Sequence, residues 1–206
     1  MEAEAHRELM TAAIATETVA HTAATAGDAA AARAAFREAA ATYRASWELA
    51  SPTSFGRLVG MLKAAILAGD GIDDARYVEA ALAGGEARSP TAAYAQAVAA
   101  LALADDGRAA EWAELMRSAS PAFVRTATAI TALASADADA YRTAVVEIVD
   151  DFAGRDAHLT GVPIADTALM LEVLAGPRRL CVDLDGPLLP RLLPSTDFPR
   201  PTPDET

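Results

Sequence analysis

Three Ser-Pro steps divide the chain, at Ser51-Pro52, Ser89-Pro90 and Ser120-Pro121, and each stands just before a long Ala-rich stretch. Ser is a favoured N-cap because its hydroxyl accepts a hydrogen bond from a helix N–H that has no partner within the helix. Pro suits the next position because the N–H that it lacks would be unpaired there. The steps therefore predict helix starts about 30 to 40 residues apart, with room for two helices in each interval.

Composition agrees with a helical fold. About a quarter of the 206 residues are Ala and only 5% are aromatic, which favours closely packed helices because Ala has the highest helix propensity. The clearest unit follows Ser89-Pro90, where a tight turn at Asp105-Asp106-Gly107 separates two helical patterns. We predict an all-α fold of stacked antiparallel hairpins, similar to the α-α array of tetratricopeptide repeats. Residues 1–194 are expected to form one domain, with a short extended C-terminal strap, and residues 195–206 a Pro-rich disordered tail.

The sequence predicts the positions of three helices and of one β-type segment. The first helix is predicted from Glu2 to about Thr25, and a third helix directly after Ser51-Pro52. The last helix is predicted from Pro163 to Ala175. Apolar and polar residues then alternate from Leu180 to Leu184, a β-type pattern too short to build a sheet alone.

The net charge of −12 limits the classes of partner. Such a chain repels phosphate backbones, so we expect no nucleic-acid binding, whereas a basic protein would be attracted. No apolar run is long enough for a membrane span, and the first residues lack the order of a signal peptide. A single cysteine, Cys181, excludes an internal disulfide and suits a reducing compartment. We therefore expect a cytoplasmic protein in which Cys181 is a buried structural thiol, although Arg178 and Arg179 nearby would favour the thiolate.

Few residues have a pattern typical of chemistry. Glu17 and His21 lie four residues apart on one predicted helix, a spacing that metal ligands use. No second Glu/His pair completes a bundle site, so the pair is predicted to be an ordinary surface contact. We predict no metal, no cofactor and no catalytic residue.

The segment after residue 150 carries a second polar group of residues. Asp150-Asp151 with Asp156 does not have the spacing of an aspartate-rich magnesium motif, and is interpreted as an acidic helix end on a solvated face. Arg155, Asp156 and His158 lie together in a loop, where an aspartate could orient an imidazole for proton transfer. A histidine held in place by the loop is the alternative.

The C-terminal region has a distinctive order of features. A helix, DTALMLEVLA, is followed by a short basic turn, by CVDLD and then by GPLLPRLLP. This order resembles the end of immunity protein family 49, from bacterial polymorphic toxin systems. The matching residues are Val182, Asp183, Leu184, Asp185, Pro187, Leu188, Leu189, Pro190, Arg191 and Leu192. The resemblance implies an all-α protein that binds a toxin and blocks it, and it implies no catalytic residues.

Two functions follow as hypotheses. The first is a cytoplasmic protein-binding module that neutralises a cognate basic toxin, with Asp105, Asp106 and Glu111 as candidate contacts. The second is a small-molecule-binding protein, or an enzyme of a specialised pathway, with a pocket between helices. The candidate pocket residues are Tyr43, Trp47, Trp112, Tyr141 and His158. Oligomeric state stays open, although Ala-rich faces could support self-association.

Overall fold

A computed structural model describes residues 2–83, 89–182, 184, 186–190 and 198–199. Within these ranges the chain forms nine α-helices and no β-strand, which confirms the all-α class and the hairpin packing. The helices are α1 (Glu2–Thr25), α2 (Ala29–Glu48), α3 (Gly56–Ala68), α4 (Ile72–Leu82), α5 (Pro90–Ala102), α6 (Asp106–Met116), α7 (Pro121–Ala134), α8 (Ala138–Ala153) and α9 (Asp166–Ala175).

Two of the three Ser-Pro steps begin helices as predicted. Ser89 caps α5 by accepting a 3.2 Å hydrogen bond from the Ala92 N–H. Pro121 is the first residue of α7, but the predicted hydroxyl cap is absent at Ser120 within the described residues. The prediction at Ser51-Pro52 is wrong, because α3 begins at Gly56. The Ser51 hydroxyl instead accepts a 3.4 Å bond from the N–H of Thr53, and so helps to close a local turn in place of a helix cap.

The helix turns within three hairpins share one geometry. An Asp caps the second helix in each, at Asp28, Asp105 and Asp137, with side-chain bonds of 3.0, 3.2 and 3.0 Å to backbone N–H groups. The residue before each Asp has a left-handed backbone, with φ values of 79° at Gly27, 61° at Ala104 and 55° at Ala136. The repeated turn is what folds the chain back on itself at regular intervals.

Helix α9 closes the stack of hairpins. Helices α3, α5 and α7 contact one another in succession and form an inner layer, and α9 packs against α3, α7 and α8. Small side chains such as Ala65, Ala97 and Ala129 are buried in this layer and let the backbones approach closely. The array therefore has α9 and the loop before it lying over its inner layer.

The C-terminal segment differs from the predicted pattern. Helix α9 begins at Asp166, three residues later than predicted, and Cys181, Val182 and Leu184 belong to no strand. A β-bridge joins Gly186 and Leu189 instead. The prediction of a buried Cys181 is also wrong, since this residue is exposed.

Other predicted features of this end are only partly described. Asp183, Asp185, Arg191 and Leu192, and most of the predicted tail, lie outside the described residues. Phe198, which is described, is 5% exposed and belongs to the hydrophobic core. Among the described residues, no helix combines the length and apolar character that crossing a membrane would need.

Candidate functional site

A cavity of about 260 Å³ lies between the inner layer and the loop of residues 154–165. Side chains from α1, α3, α5, α6, α7, α8, the loop and α9 line it, so its walls come from both ends of the sequence. The residues that carry its polar chemistry are His21, Lys63, Tyr94, Arg125, Asp151, Arg155, His158, Thr160 and Asp166.

An ion pair between Lys63 and Asp166 forms part of the cavity wall. The Lys63 Nζ donates to Oδ2 of Asp166 at 2.6 Å, and the side chains are only 15% and 17% exposed. Burial alone would lower the pKa of Lys63 and raise that of Asp166. Their mutual attraction outweighs burial, so it holds the pKa of Lys63 above and that of Asp166 below its ordinary value. Both groups are therefore charged at neutral pH.

Glu17 lies behind this ion pair. It is 3% exposed, and its Oε2 accepts a 2.8 Å hydrogen bond from the Tyr43 hydroxyl. Burial raises the pKa of Glu17, with Lys63 and the Tyr43 bond opposing the rise. The prediction of a solvent-exposed Glu17–His21 contact is therefore wrong, because the face of α1 that carries the pair packs inward.

His21 connects α1 to the loop over the cavity. It is 2% exposed, and its Nδ1 lies 2.9 Å from Oγ1 of Thr160. Burial lowers the pKa of His21 to about 4, so the imidazole is neutral at pH 7. Its Nε2 is buried and has no hydrogen-bond partner among the described residues.

Three side chains with metal-ligating atoms meet at this wall. One ligand atom from each of Glu17, His21 and Asp166 lies within 4.8 Å of the other two. Glu17 and His21 occupy successive turns of α1, whereas Asp166 is the first residue of α9. The third ligand that the sequence pattern lacked is thus supplied by the closing helix.

The rim of the cavity carries an excess of positive charge. Asp151 bonds to Arg125, and it also bonds to Arg155 at 2.5 Å. The hydrogen bond from Arg155, together with the positive charges of both arginines, holds the pKa of Asp151 below its ordinary value. Two guanidinium groups therefore share the Asp151 carboxylate, whereas Asp150 and Asp156 of the predicted acidic helix end are exposed.

Aromatic rings complete the rim. The Arg155 guanidinium lies 3.8 Å from the centre of the Phe152 ring, and His158 stacks with the same ring at an interplanar angle of 21°. Deeper in, Tyr94 and Phe123 meet edge to face with 5.9 Å between ring centres. The cavity therefore offers flat apolar surfaces next to cationic groups.

The predicted pocket residues are distributed unevenly. His158 lines the cavity, and Tyr43 touches its wall through Glu17. Trp47 packs on Phe55, Trp112 packs on the core, and none of Trp47, Trp112 and Tyr141 lines the cavity. Tyr141 is fully buried and donates a 2.9 Å hydrogen bond to Glu172.

The three acidic residues predicted to contact a partner also have distinct surroundings. Asp105 caps α6, and Asp106 pairs with Arg178 at 2.5 Å. Arg178 is largely buried, with 4% of its side chain exposed, and it also donates to the Leu101 carbonyl. Glu111 is exposed on α6.

Sequence reasoning missed Lys63, Tyr94, Arg125 and Asp166. Lys63 is the one lysine in the chain, and it interrupts the apolar sequence GRLVGMLKAAILA of α3. A single ammonium group among apolar neighbours implies a buried acidic partner. The sequence around Lys63 could therefore have predicted a buried ion pair. Nothing near Asp166 in the sequence identifies it as that partner.

Comparison with protein-family models, with curated proteins and with solved structures found no significant match to this chain.

Proposed function

We propose that the protein binds a compact monocarboxylate with a flat apolar body in the cavity between the inner layer and the loop. The observation that carries the proposal is a concentration of unsatisfied polar atoms at this cavity. His21 Nε2 and His158 Nδ1 are buried with no hydrogen-bond partner among the described residues, and both residues line the cavity. Each such group costs about 1–3 kcal/mol unless it finds a partner.

The charge of the rim supports an anionic ligand. Arg125 and Arg155 exceed Asp151 by one positive charge, in a chain whose net charge is −12. The planar guanidinium group suits a carboxylate because it can donate two parallel hydrogen bonds. A single carboxylate would match the one excess charge.

Size and lining favour a small ligand. The volume of about 260 Å³ lies below the roughly 300–1,000 Å³ of most ligand pockets. Tyr94, Phe123 and Phe152 supply apolar surface for a ring or a short branched chain.

Calorimetric titration with benzoate and benzamide tests the proposal, because the two probes share shape and differ in charge. We expect benzoate, or another member of a panel of aromatic and branched monocarboxylates, to bind and its neutral amide to bind at least about tenfold more weakly. Arg155→Gln should weaken carboxylate binding, whereas Arg76→Gln, an exposed arginine on α4, should leave it unchanged. Equal binding of acid and amide, or no binding across the panel, would contradict the proposal.

Toxin neutralisation is the second candidate, favoured by the net charge of −12 and by the C-terminal resemblance. Glu111 is the predicted contact residue that lies exposed on α6. Native mass spectrometry of the protein isolated from its source cells separates the two candidates. A stoichiometric basic protein companion would support neutralisation, and a retained small acid would support the cavity.

A further inference from the structure

We infer that Glu17, His21 and Asp166 bind one divalent transition-metal ion at the buried wall of the cavity. One ligand atom from each lies within 4.8 Å of the other two, a separation that a single ion can bridge with small side-chain adjustments. Glu17 and His21 are 3% and 2% exposed, so these donors are held inside the fold. The inference shares His21 with the proposed carboxylate site, but it rests on these three side chains and does not require a carboxylate to bind.

Each of the three side chains is oriented by a second residue. The Tyr43 hydroxyl bonds Oε2 of Glu17 at 2.8 Å, and Lys63 bonds Oδ2 of Asp166 at 2.6 Å. Proteins commonly hold metal ligands in this way, with an outer partner on the atom that does not coordinate. The second oxygen of Asp166, Oδ1, accepts a longer 3.4 Å hydrogen bond from the Thr167 hydroxyl, and the Thr167 backbone N–H also bonds to this carboxylate.

The orientation of His21 identifies its coordinating atom. The Thr160 hydroxyl lies 2.9 Å from Nδ1 of His21, so Nε2 is the ring nitrogen that is available to coordinate an ion. This atom is buried and has no partner in the described part of the chain. A neutral imidazole is the form that coordinates metals through such an open nitrogen.

Charge at the wall leaves room for a cation. Glu17 and Asp166 supply two negative charges when both are ionised, and Lys63 supplies one positive charge. An ammonium on the outer oxygen of Asp166 neutralises only part of this negative charge. A divalent ion changes the wall from one net negative to one net positive charge.

The donor set indicates the class of metal. One imidazole nitrogen and two carboxylate oxygens suit Zn²⁺, Mn²⁺ or Fe²⁺ better than Mg²⁺ or Ca²⁺, which prefer oxygen donors throughout. Three protein ligands leave at least one coordination position for a further ligand. Because His21 and Asp166 line the cavity, that position is available to a molecule within it.

Titration of tag-free, chelator-treated protein with Co²⁺ and with Zn²⁺ tests the site. We expect one ion per chain, with visible Co²⁺ absorption that Zn²⁺ abolishes. His21→Gln should weaken binding by about 100-fold or more, since loss of an outer partner alone costs about 10–100-fold. His6→Gln is the matched control, because it removes a histidine of α1 that contacts Arg57 outside the cavity, and it should leave affinity unchanged.

Circular dichroism establishes that each variant folds, and Glu17→Gln takes the place of His21→Gln if that variant does not. Absence of stoichiometric binding by the wild-type protein would overturn the inference. Equal affinity of wild type and a folded trio variant would overturn it as well. Carboxylate titration of the same samples is a separate measurement, so failure of either proposal is distinguishable.

Discussion

Thr160, in the loop before α9, places its hydroxyl 2.9 Å from Nδ1 of His21 on α1. The same threonine accepts a 3.1 Å hydrogen bond from the Thr18 hydroxyl through its backbone carbonyl. One residue of the loop is therefore attached twice to one face of α1. This attachment both orients the imidazole and holds the loop over the cavity.

Thr160→Val removes the hydroxyl while keeping the shape of the side chain. We expect Zn²⁺ affinity to fall about 10–100-fold because Nδ1 loses its orienting partner. The free energy of unfolding should fall by about 1 kcal/mol from the lost hydrogen bond. Calorimetry and urea unfolding measure the two effects. Thr143→Val, on the exposed face of α8, is the control, and an unchanged Zn²⁺ affinity for T160V would disprove the orienting role.

Lys63→Met removes the buried ammonium and leaves Asp166 without its ion-pair partner. We expect chelator-treated protein to lose about 3 kcal/mol of stability, because breaking a buried pair leaves an uncompensated charge. Zn²⁺ should still raise the melting temperature of this variant, since the ion supplies positive charge beside Asp166. Arg76→Met breaks the exposed pair with Asp73 and should cost less than about 0.5 kcal/mol. Similar losses of stability in both variants would mean that the buried Lys63–Asp166 pair contributes no more to stability than an exposed pair.

Tyr141→Phe tests the pH dependence of stability. Burial, followed by the neighbouring Glu172, raises the pKa of Tyr141 well above 10. The unfolded chain therefore releases this phenolic proton at lower pH than the folded chain does. Stability contributed by the neutral phenol is complete below pH 10 and declines by about 1.4 kcal/mol per pH unit above it, until the raised pKa is reached. We expect the free energy of unfolding, measured in urea at pH 8 and pH 11, to fall less for Y141F than for the wild type. Equal falls would refute the contribution of the Tyr141 proton to this pH dependence.

Ala104→Gly should stabilise the protein. Ala104 has φ of 61°, a left-handed conformation that an L side chain adopts at a cost of about 1–2 kcal/mol. Gly removes that cost but adds chain entropy to the unfolded state, so we expect a net gain of about 0.5–1 kcal/mol. Ala34→Gly, at an exposed position within α2, should have the opposite sign and cost about 1 kcal/mol. Thermal unfolding compares the two, and destabilisation by A104G would contradict the role of this turn.

Local features of the fold could be predicted because their causes lie close together in the sequence. Ser89 caps α5, and Asp105 caps α6 across a tight turn, so the α5–α6 hairpin is encoded within about 30 residues. Ser51-Pro52 carries the same dipeptide but makes a turn, because the Ser51 hydroxyl bonds within two residues. Identical local chemistry thus has two outcomes, between which the surrounding packing decides.

The site could be predicted only in part. Glu17 and His21 have recognisable metal-ligand spacing, yet their burial depends on α2 and on the loop packing against α1. Lys63 and Asp166 are 103 residues apart, and neither has a sequence neighbour that indicates the other. A contact of this kind is decided by how the hairpins stack, which the pattern of one chain does not show.

The distance along the chain between the residues of the cavity also sets an order of folding events. Hairpins such as α5–α6 join near neighbours, whereas the His21–Thr160 and Lys63–Asp166 contacts close loops of 139 and 103 residues. Closing a long loop costs more chain entropy than closing a short one, so we expect these contacts to form late in folding. The Glu17–His21–Asp166 trio is therefore assembled only when α9 docks, so the proposed ion could bind only after that helix has been synthesised. Binding of the proposed ion would then slow the undocking of α9 from the folded chain.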